Sequence, residues 1–154
     1  MKVITTNKRA YFDYQVLENY FAGIVLQGPE VKSVKAGKID LSGGYVSFDK
    51  NQSLWLINTK IAPYPPASGV QENYNPGQSR LLLLKKKEVN NLLSASQTKG
   101  LTIIPLKVYN ISGLIKIEIG VVRGKKMFDK KEIIKEREDK RKIEREIKYN
   151  KIDL

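Results

Sequence analysis

The chain changes character after Val122, and this change decides which residues can form a folded core. From Arg123 to Leu154 the sequence is dominated by charged residues with high helix propensity, and no apolar residue occurs between Lys135 and Lys142. A helix without an apolar stripe has no side that it can bury against a domain. We therefore predict two parts, a folded domain at residues 1–122 and a basic tail at residues 123–154.

Residues 1–122 carry short apolar segments separated by turn residues, an arrangement typical of β-strands without βαβ units. Leu114–Val122 alternates apolar residues with Lys116 and Glu118, which indicates a strand with one solvent-facing side. Pro105 predicts a bulge or an edge position in the preceding strand, because proline cannot donate to a ladder. One strand is predicted to end at Leu26, and further strands are predicted at residues 44–48, 54–57, 81–84, 101–109 and 114–122. Helices are predicted at residues 27–37 and 85–100, and an irregular loop at residues 62–77. This pattern predicts a mainly β fold, a small closed antiparallel β-barrel with two or three short helices.

The charge balance indicates a polyanionic partner. Lysine and arginine number 28 against 16 aspartates and glutamates, which gives a formal net charge of +12 at pH 7. An excess of this size in 154 residues repels itself unless a polyanion such as nucleic acid neutralises it. The alternative is a protein kept basic for solubility alone.

The sequence contains neither cysteine nor histidine. This composition excludes disulfides, thiolate zinc sites and the Ser–His and Cys–His nucleophilic pairs, so that only carboxylate or lysine chemistry stays open. We therefore expect no enzymatic activity, no metal and no cofactor. The N-terminus lacks the apolar segment of a signal peptide, and no run approaches the roughly 20 apolar residues of a membrane helix, so we expect a cytoplasmic protein.

The tail is predicted to be largely disordered on its own and to become helical on an RNA surface. Like-charged pairs such as Glu132 with Glu136 offset favourable pairs such as Glu136 with Lys140, and isolated helices of this length are marginal in water. Phe128 lies among cations, where an aromatic ring can stack on an unpaired base while the cations hold phosphates. A coiled-coil strand and a solvated helix without a partner are the alternatives, and the apolar gap argues against the first.

Taken together and in order, short blocks of the sequence resemble the SmpB family, the tmRNA-binding factors of bacterial trans-translation. The resemblance extends from about Asn7 to about Ile147, and the order and spacing of the blocks make it specific where each block alone is weak. The blocks are Asn7–Ala10, Ala22–Leu26, Glu30–Ser33, Ala36–Lys38, Tyr45–Val46, Ile61–Pro63, Arg80, Leu82–Leu84, Lys99–Thr102, Pro105–Lys107, Gly124–Lys126, Asp129–Lys131 and Ile134–Arg137.

The resemblance implies a barrel of the oligonucleotide-binding type that holds the tRNA-like domain of tmRNA, also called SsrA RNA. It also implies that the tail enters a stalled ribosome. There the tail would occupy the decoding centre and the empty mRNA channel of the small subunit, against its rRNA. Alanyl-tRNA synthetase and elongation factor Tu would be indirect partners, and we expect the protein itself to be a monomer.

The candidate site residues form two sets. The candidate tmRNA-binding residues are Asn7, Lys8, Arg9, Tyr11, Lys32, Arg80, Leu83, Lys125 and Lys126. The candidate ribosome-binding residues of the tail are Phe128, Asp129, Lys130, Lys131, Lys135, Arg137 and Arg141. By resemblance, the two lysines after Gly124 correspond to a Gly-Lys-Lys motif, and Phe128 to an aromatic residue or histidine that the family brings against a decoding-centre base.

Several positions depart from the family pattern. Phe21 lies where the family commonly has glutamate, at a position implicated in tmRNA contact, and Tyr11 and Phe12 replace a frequent Arg-His pair. Residues 75–78 replace Asp-Pro-Thr-Arg, and Lys131 keeps a positive charge without the planar fork of arginine. These changes predict a divergent tmRNA partner or a larger share of binding by stacking.

Two other functions stay open at this point. A ribosomal or rRNA-binding structural protein would also need only cations that follow a phosphate backbone and aromatic side chains that stack. A carboxylate-based nuclease would need acidic residues placed to hold Mg²⁺. Asp129, Glu136 and Asp139 lie among cations in the tail, where solubility and pairing within the chain account for them.

Overall fold

The computed structural model describes residues 1–67 and 73–125. The predictions for Lys126 and the residues after it therefore lie outside the described residues. In chain order the elements are β1 (Lys2–Thr6), α1 (Lys8–Asp13), β2 (Tyr14–Ile24), α2 (Gly28–Lys35), β3 (Ile39–Asp40), β4 (Tyr45–Phe48), β5 (Leu54–Ile57), β6 (Lys60–Ile61), a 3₁₀ turn (Pro65–Ala67), β7 (Arg80–Leu83), α3 (Lys86–Ser96), β8 (Leu101–Ile111) and β9 (Leu114–Gly124).

Seven strands form one antiparallel sheet in the order β1-β8-β9-β2-β7-β5-β4, and β3 pairs with β6 in a second, two-stranded sheet. The prediction of a mainly β, antiparallel fold with short helices is confirmed. The large sheet bends so that β4 approaches β8. Within the described residues, however, no hydrogen-bonded ladder joins the edge strands β1 and β4, so the predicted closed barrel is not observed.

β8 and β9 are 11 residues long each and pair with each other in a long hairpin. Their register shifts between Pro105 and Lys107, which confirms the predicted bulge; β8 lies between β1 and β9 and is not an edge strand. β9 continues past the predicted domain limit at Val122 and ends at Gly124. The predicted hairpin of β4 and β5 and the predicted helices α2 and α3 are also confirmed.

The main core lies inside the curved sheet and under α2 and α3. It contains, among others, Ala22, Val34, Leu56, Leu92 and Ile117, all fully buried. A second, smaller cluster lies on the opposite, outer face of β8 and β9, where α1 covers it with Ala10. No helix in the described part of the chain is long and apolar enough to cross a membrane.

We expect that replacing Gly44 with alanine destabilises the fold by about 1 to 3 kcal/mol, because the added carbon overpacks the interior. A Cβ at Gly44 would lie 2.5 Å from Thr59 Cγ2, 3.0 Å from the Leu41 carbonyl oxygen and 3.1 Å from Pro105 Cγ. Urea unfolding followed by circular dichroism measures the loss. The matched control is Gly28→Ala, since apart from the adjoining residues and the backbone of α2 no heavy atom lies within 4 Å of a Cβ there. Equal stability of the two variants would contradict the prediction.

Candidate nucleic-acid interface

Helix α1 is fixed to the sheet by Asn7, which is buried. Its Nδ2 donates to the Pro105 carbonyl oxygen at 2.9 Å, and its Oδ1 accepts from the backbone N–H of Ala10 at 3.3 Å, as an N-cap does. The backbone N–H of Asn7 donates to the Leu106 carbonyl oxygen at 2.7 Å. The side chain of Asn7 therefore anchors α1 within the protein, and its burial argues against direct contact with RNA in this conformation.

The two cations that follow are exposed on α1. Lys8 lies on the surface, and the side chain of Arg9 is 77% exposed, with its Nε donating to Asp13 Oδ2 at 2.8 Å. The Arg9 guanidinium also lies over the Phe12 ring, 6.0 Å from its centroid. Both cations remain accessible to phosphates. Beside them opens a cavity of about 480 Å³ whose lining includes Asn7, Arg9, Tyr14, Gly44, Tyr45 and Thr102.

The outer face of β2, β8 and β9 carries a buried carboxylate surrounded by polar and aromatic groups. Glu118 accepts hydrogen bonds from Tyr109 Oη and from Asn19 Nδ2, each at 2.6 Å. Burial, together with the hydrogen bond and the negative charge of Glu118, raises the pKa of Tyr109 to about 12. Burial and the same charge raise the pKa of Tyr11. Both phenols therefore stay protonated at neutral pH as neutral aromatic groups.

Lysines and exposed apolar side chains adjoin this cluster on the same face. Lys107 Nζ lies 5.6 Å from the centroid of the Tyr11 ring, and Phe21 is 50% exposed with its ring centroid 5.6 Å from that of Tyr109. Leu83 is 54% exposed opposite Gly23, which pairs on its other side with Lys116. We call Tyr11, Phe21, Leu83, Lys107 and Lys116 the outer-face surface. It combines stacking rings, apolar area and cations, as single-stranded RNA sites do.

Arg80 is located inside the protein and is bonded to Glu30 of α2. The Arg80 Nη2 lies 2.7 Å from Glu30 Oε2, and both side chains are 1% exposed. Arg80 also donates to the carbonyl oxygens of Thr59 and Pro76, at 3.0 and 2.9 Å, and to Tyr74 Oη at 3.0 Å. Its guanidinium is fully engaged within the fold, so the expectation that this side chain touches tmRNA does not fit its position in this conformation.

Glu30 remains ionised despite its burial. Loss of solvent raises its pKa, but hydrogen bonds from the Gln27 backbone, Arg80 and Tyr74 outweigh this and lower the pKa overall. The pKa of the Tyr74 phenol changes in the opposite direction, because burial and the neighbouring Glu30 raise it to about 12. This network ties the segment before β7 to α2.

The remaining predicted residues lie on α2, at the end of the described part of the chain, or outside the described residues. Lys32 is on α2, with its Nζ 5.5 Å from the Tyr64 ring centroid, and Lys125 is half-buried at the end of the described part. Outside the described residues fall Lys126, Phe128, Asp129, Lys130, Lys131, Lys135, Arg137 and Arg141.

The sequence interpretation missed Lys107, Tyr109, Lys116 and Glu118 as members of one site. All four lie at alternate positions of two strands that the sequence did predict. Pairing the strands around the Asn110–Gly113 turn places Lys107 opposite Glu118 and Tyr109 opposite Lys116. The signal was therefore present in the hairpin register.

Comparison with known proteins gives one consistent result. The family model described as SmpB protein matches residues 4–149. The SsrA-binding protein of Gloeothece citriformis is 47% identical over 147 residues, covering 96% of this chain and 94% of the relative. That of Persephonella marina is 46% identical over 148 residues, covering 96% and 95%.

A solved structure agrees with these relatives. It is described as "tmRNA-SmpB: a journey to the center of the bacterial ribosome", and its matching chain is 45% identical with a TM-score of 0.66. The match covers 82% of this chain and 87% of that chain. The resemblance seen in the sequence is thereby confirmed, and this chain belongs to the SmpB family.

Proposed function

We propose that this chain binds the tRNA-like domain of tmRNA and delivers it to stalled ribosomes for trans-translation. The observation that carries the proposal is near full-length similarity to SsrA-binding proteins, at 47% and 46% identity for two of them. The neighbouring solved structure, described by the words tmRNA, SmpB and ribosome, supports the same partners.

The outer-face surface supplies the chemistry that this function needs. Lys107 and Lys116 can neutralise phosphates, while the exposed Phe21 ring, the half-buried Tyr11 ring and Leu83 offer apolar area to unstacked bases of a folded RNA. Phe21 takes the place of the glutamate that the family commonly has. A carboxylate would repel phosphate and accept hydrogen bonds, whereas Phe21 contributes stacking and apolar contact. This chain therefore relies more on stacking at that position.

The proposal also assigns a role to the folded domain and a role to the tail. We infer that the folded domain, which extends to Gly124 with β9, is a barrel of the oligonucleotide-binding type and that residues 125–154 order in the decoding centre and the empty mRNA channel. The role is one of binding and delivery without catalysis. Alanyl-tRNA synthetase and elongation factor Tu would then act on the same tmRNA as indirect partners.

We expect the full chain to bind a tRNA-like tmRNA fragment more tightly than an ordinary tRNA throughout a salt series. Replacing Phe21 with alanine should weaken fragment binding roughly five- to hundredfold, as the loss of one stacked base does. Leu83→Ala should weaken it less, since a smaller apolar contact is removed. Fluorescence anisotropy measures both affinities.

The matched control is Leu114→Ala, which removes an apolar side chain that is 66% exposed at the end of the β8–β9 hairpin. Its affinity should equal that of the wild type. Equal binding of tRNA and fragment would contradict the proposed function, and a Phe21→Ala variant with unchanged affinity would remove the outer-face surface from it.

A further inference from the structure

Glu118 is a buried carboxylate on the outer face of the sheet. It belongs to β9, where Phe21 of β2 lies opposite it on one side and Lys107 of β8 lies opposite it on the other. The residue is 6% exposed, although a carboxylate is rarely buried unless other groups bond to it. Its position links it to the outer-face surface, since two members of that surface are its cross-strand neighbours.

Both oxygens of Glu118 are bonded to side chains of the neighbouring strands. Its Oε1 accepts from Tyr109 Oη of β8, and its Oε2 accepts from Asn19 Nδ2 of β2, each at 2.6 Å. The first distance lies in the range of a charge-assisted hydrogen bond between a hydroxyl and a carboxylate. Because β9 lies between β8 and β2, the two bonds join three adjacent strands. Glu118 therefore fixes the position of the Tyr109 hydroxyl.

Tyr109 connects Glu118 to the exposed Phe21 ring. Tyr109 is 5% exposed, so its ring is enclosed by the protein. The ring centroids of Tyr109 and Phe21 lie 5.6 Å apart with their planes tilted by 49°, an attractive arrangement for two aromatic rings. Phe21 is 50% exposed, so part of its ring rests on Tyr109 while the rest is open to a ligand. A change at the buried Tyr109 hydroxyl should therefore alter the orientation of the Phe21 ring.

We propose that Glu118 is a positioning residue that acts through Tyr109. It holds the Phe21 ring in the orientation in which an unstacked base of the tRNA-like domain of tmRNA stacks on it. The inference rests on the proposed function, which makes Phe21 a contact to that RNA. A ring that is already ordered in the free protein loses less conformational entropy on binding, and hydrogen bonds behind a contact residue supply such order.

The test is a double-mutant cycle in the full chain, with affinity for the tRNA-like fragment measured by fluorescence anisotropy. Tyr109→Phe removes only the hydroxyl and should weaken binding about three- to tenfold, the cost of ordering one side chain at an interface. In a Phe21→Ala background the same substitution should change the affinity by less than about twofold, because the ring that it orients is absent. A role in the fold alone would give the same loss in both backgrounds.

The matched control is Tyr20→Phe. Tyr20 Oη donates to Glu18 Oε2 at 2.8 Å, so this variant also removes one hydrogen bond between a phenol and a carboxylate. Tyr20 is adjacent to Phe21 in β2 but packs against the main core, on the other side of the sheet. Its affinity should therefore stay within about twofold of that of the wild type.

Substitutions of Glu118 and a spectroscopic measurement extend the test. Glu118→Leu removes both acceptors and should weaken binding at least as much as Tyr109→Phe. Glu118→Gln retains an acceptor for the Tyr109 hydroxyl and should recover most of that loss. In NMR spectra of the free protein, the Phe21 ring protons sense the neighbouring Tyr109 ring. Their chemical shifts should change in Tyr109→Phe and Glu118→Leu but not in Glu118→Gln.

The outcomes separate this inference from the proposed function. Equal losses from Tyr109→Phe in the wild-type and Phe21→Ala backgrounds would overturn the positioning role, as would an unchanged affinity or unchanged Phe21 chemical shifts in Tyr109→Phe. Tyr109→Phe keeps the ring, so it provides the test even if Glu118→Leu does not fold. A wild-type chain that bound the fragment no better than an ordinary tRNA would instead overturn the proposed function.

Discussion

Replacing Arg80 with leucine should lower the free energy of unfolding by about 3 to 5 kcal/mol, because it leaves Glu30 as a buried charge without its partner. The ion pair is short and buried: Arg80 Nη2 lies 2.7 Å from Glu30 Oε2, and each side chain is 1% exposed. The substitution also removes the side-chain donor to the Thr59 carbonyl oxygen and one of the two donors to the Pro76 carbonyl oxygen, which keeps the Ile61 N–H. Urea unfolding at pH 7, followed by circular dichroism, measures the loss.

Two variants show whether the buried charge is the cause. Arg9→Leu removes the same group from a side chain that is 77% exposed, where ion pairs contribute less than about 1 kcal/mol. The double variant Glu30→Gln/Arg80→Leu removes both charges and should recover part of the loss. If Arg9→Leu and Arg80→Leu destabilise equally, or if the double variant is no more stable than Arg80→Leu, the ion pair does not hold this part of the fold.

Local patterns made most elements predictable. Helix α2 begins with Pro29 in its first turn and is followed by Gly37, whose φ is +80°, so its limits can be read from a few neighbouring residues. The β8–β9 hairpin was equally accessible, since two apolar runs flank a short turn that contains Gly113 at φ +88°. These signals act within a dozen residues and do not depend on the rest of the chain.

Elements that depend on distant partners were missed. β1 is a short polar strand that exists because it pairs with β8, more than a hundred residues away in the chain. β3 and β6 contribute two residues each, too few for any periodicity to show. Whether the sheet closes is likewise decided by long-range contacts between edge strands. Strand existence was thus predictable where the hydrophobic pattern was strong, and topology was not.

The candidate site shows the same division. Leu83 was assigned by its match to the family, whereas Tyr11 departs from the family pattern, and the fold places both on one face with Phe21. Arg80 was assigned by its match to the family but faces inward, where it bonds Glu30. Glu30 lies 50 residues away in the sequence, so the sequence pattern did not show this pairing. A basic residue in a family block can bind RNA or hold the block in place, and only its three-dimensional partners distinguish the two roles.

Removing residues 125–154 should leave binding of the tRNA-like fragment within about tenfold of the wild type, because most of the positive charge is retained. The removed segment contains 12 lysines and arginines and 8 carboxylates, so +8 of the net charge of +12 stays with residues 1–124. These residues form a compact unit that ends with β9. Peptide tagging on ribosomes stalled at the end of a truncated mRNA should fall at least about a hundredfold, since no helix-prone segment would remain to order on the ribosome.

Fragment binding and tagging together show whether the tail binds the ribosome or contributes a second contact to tmRNA. If residues 125–154 act on the ribosome, the truncation should lower tagging much more than fragment binding. Fragment binding depends on the folded domain, whereas tagging depends on a segment that orders against rRNA. A chain that lacks only residues 150–154 is the matched control and should keep both activities, since the Gly-Lys-Lys motif, Phe128 and the charged run remain. If fragment binding fell as far as tagging, the division of roles between domain and tail would be wrong, and the tail would be part of the tmRNA site.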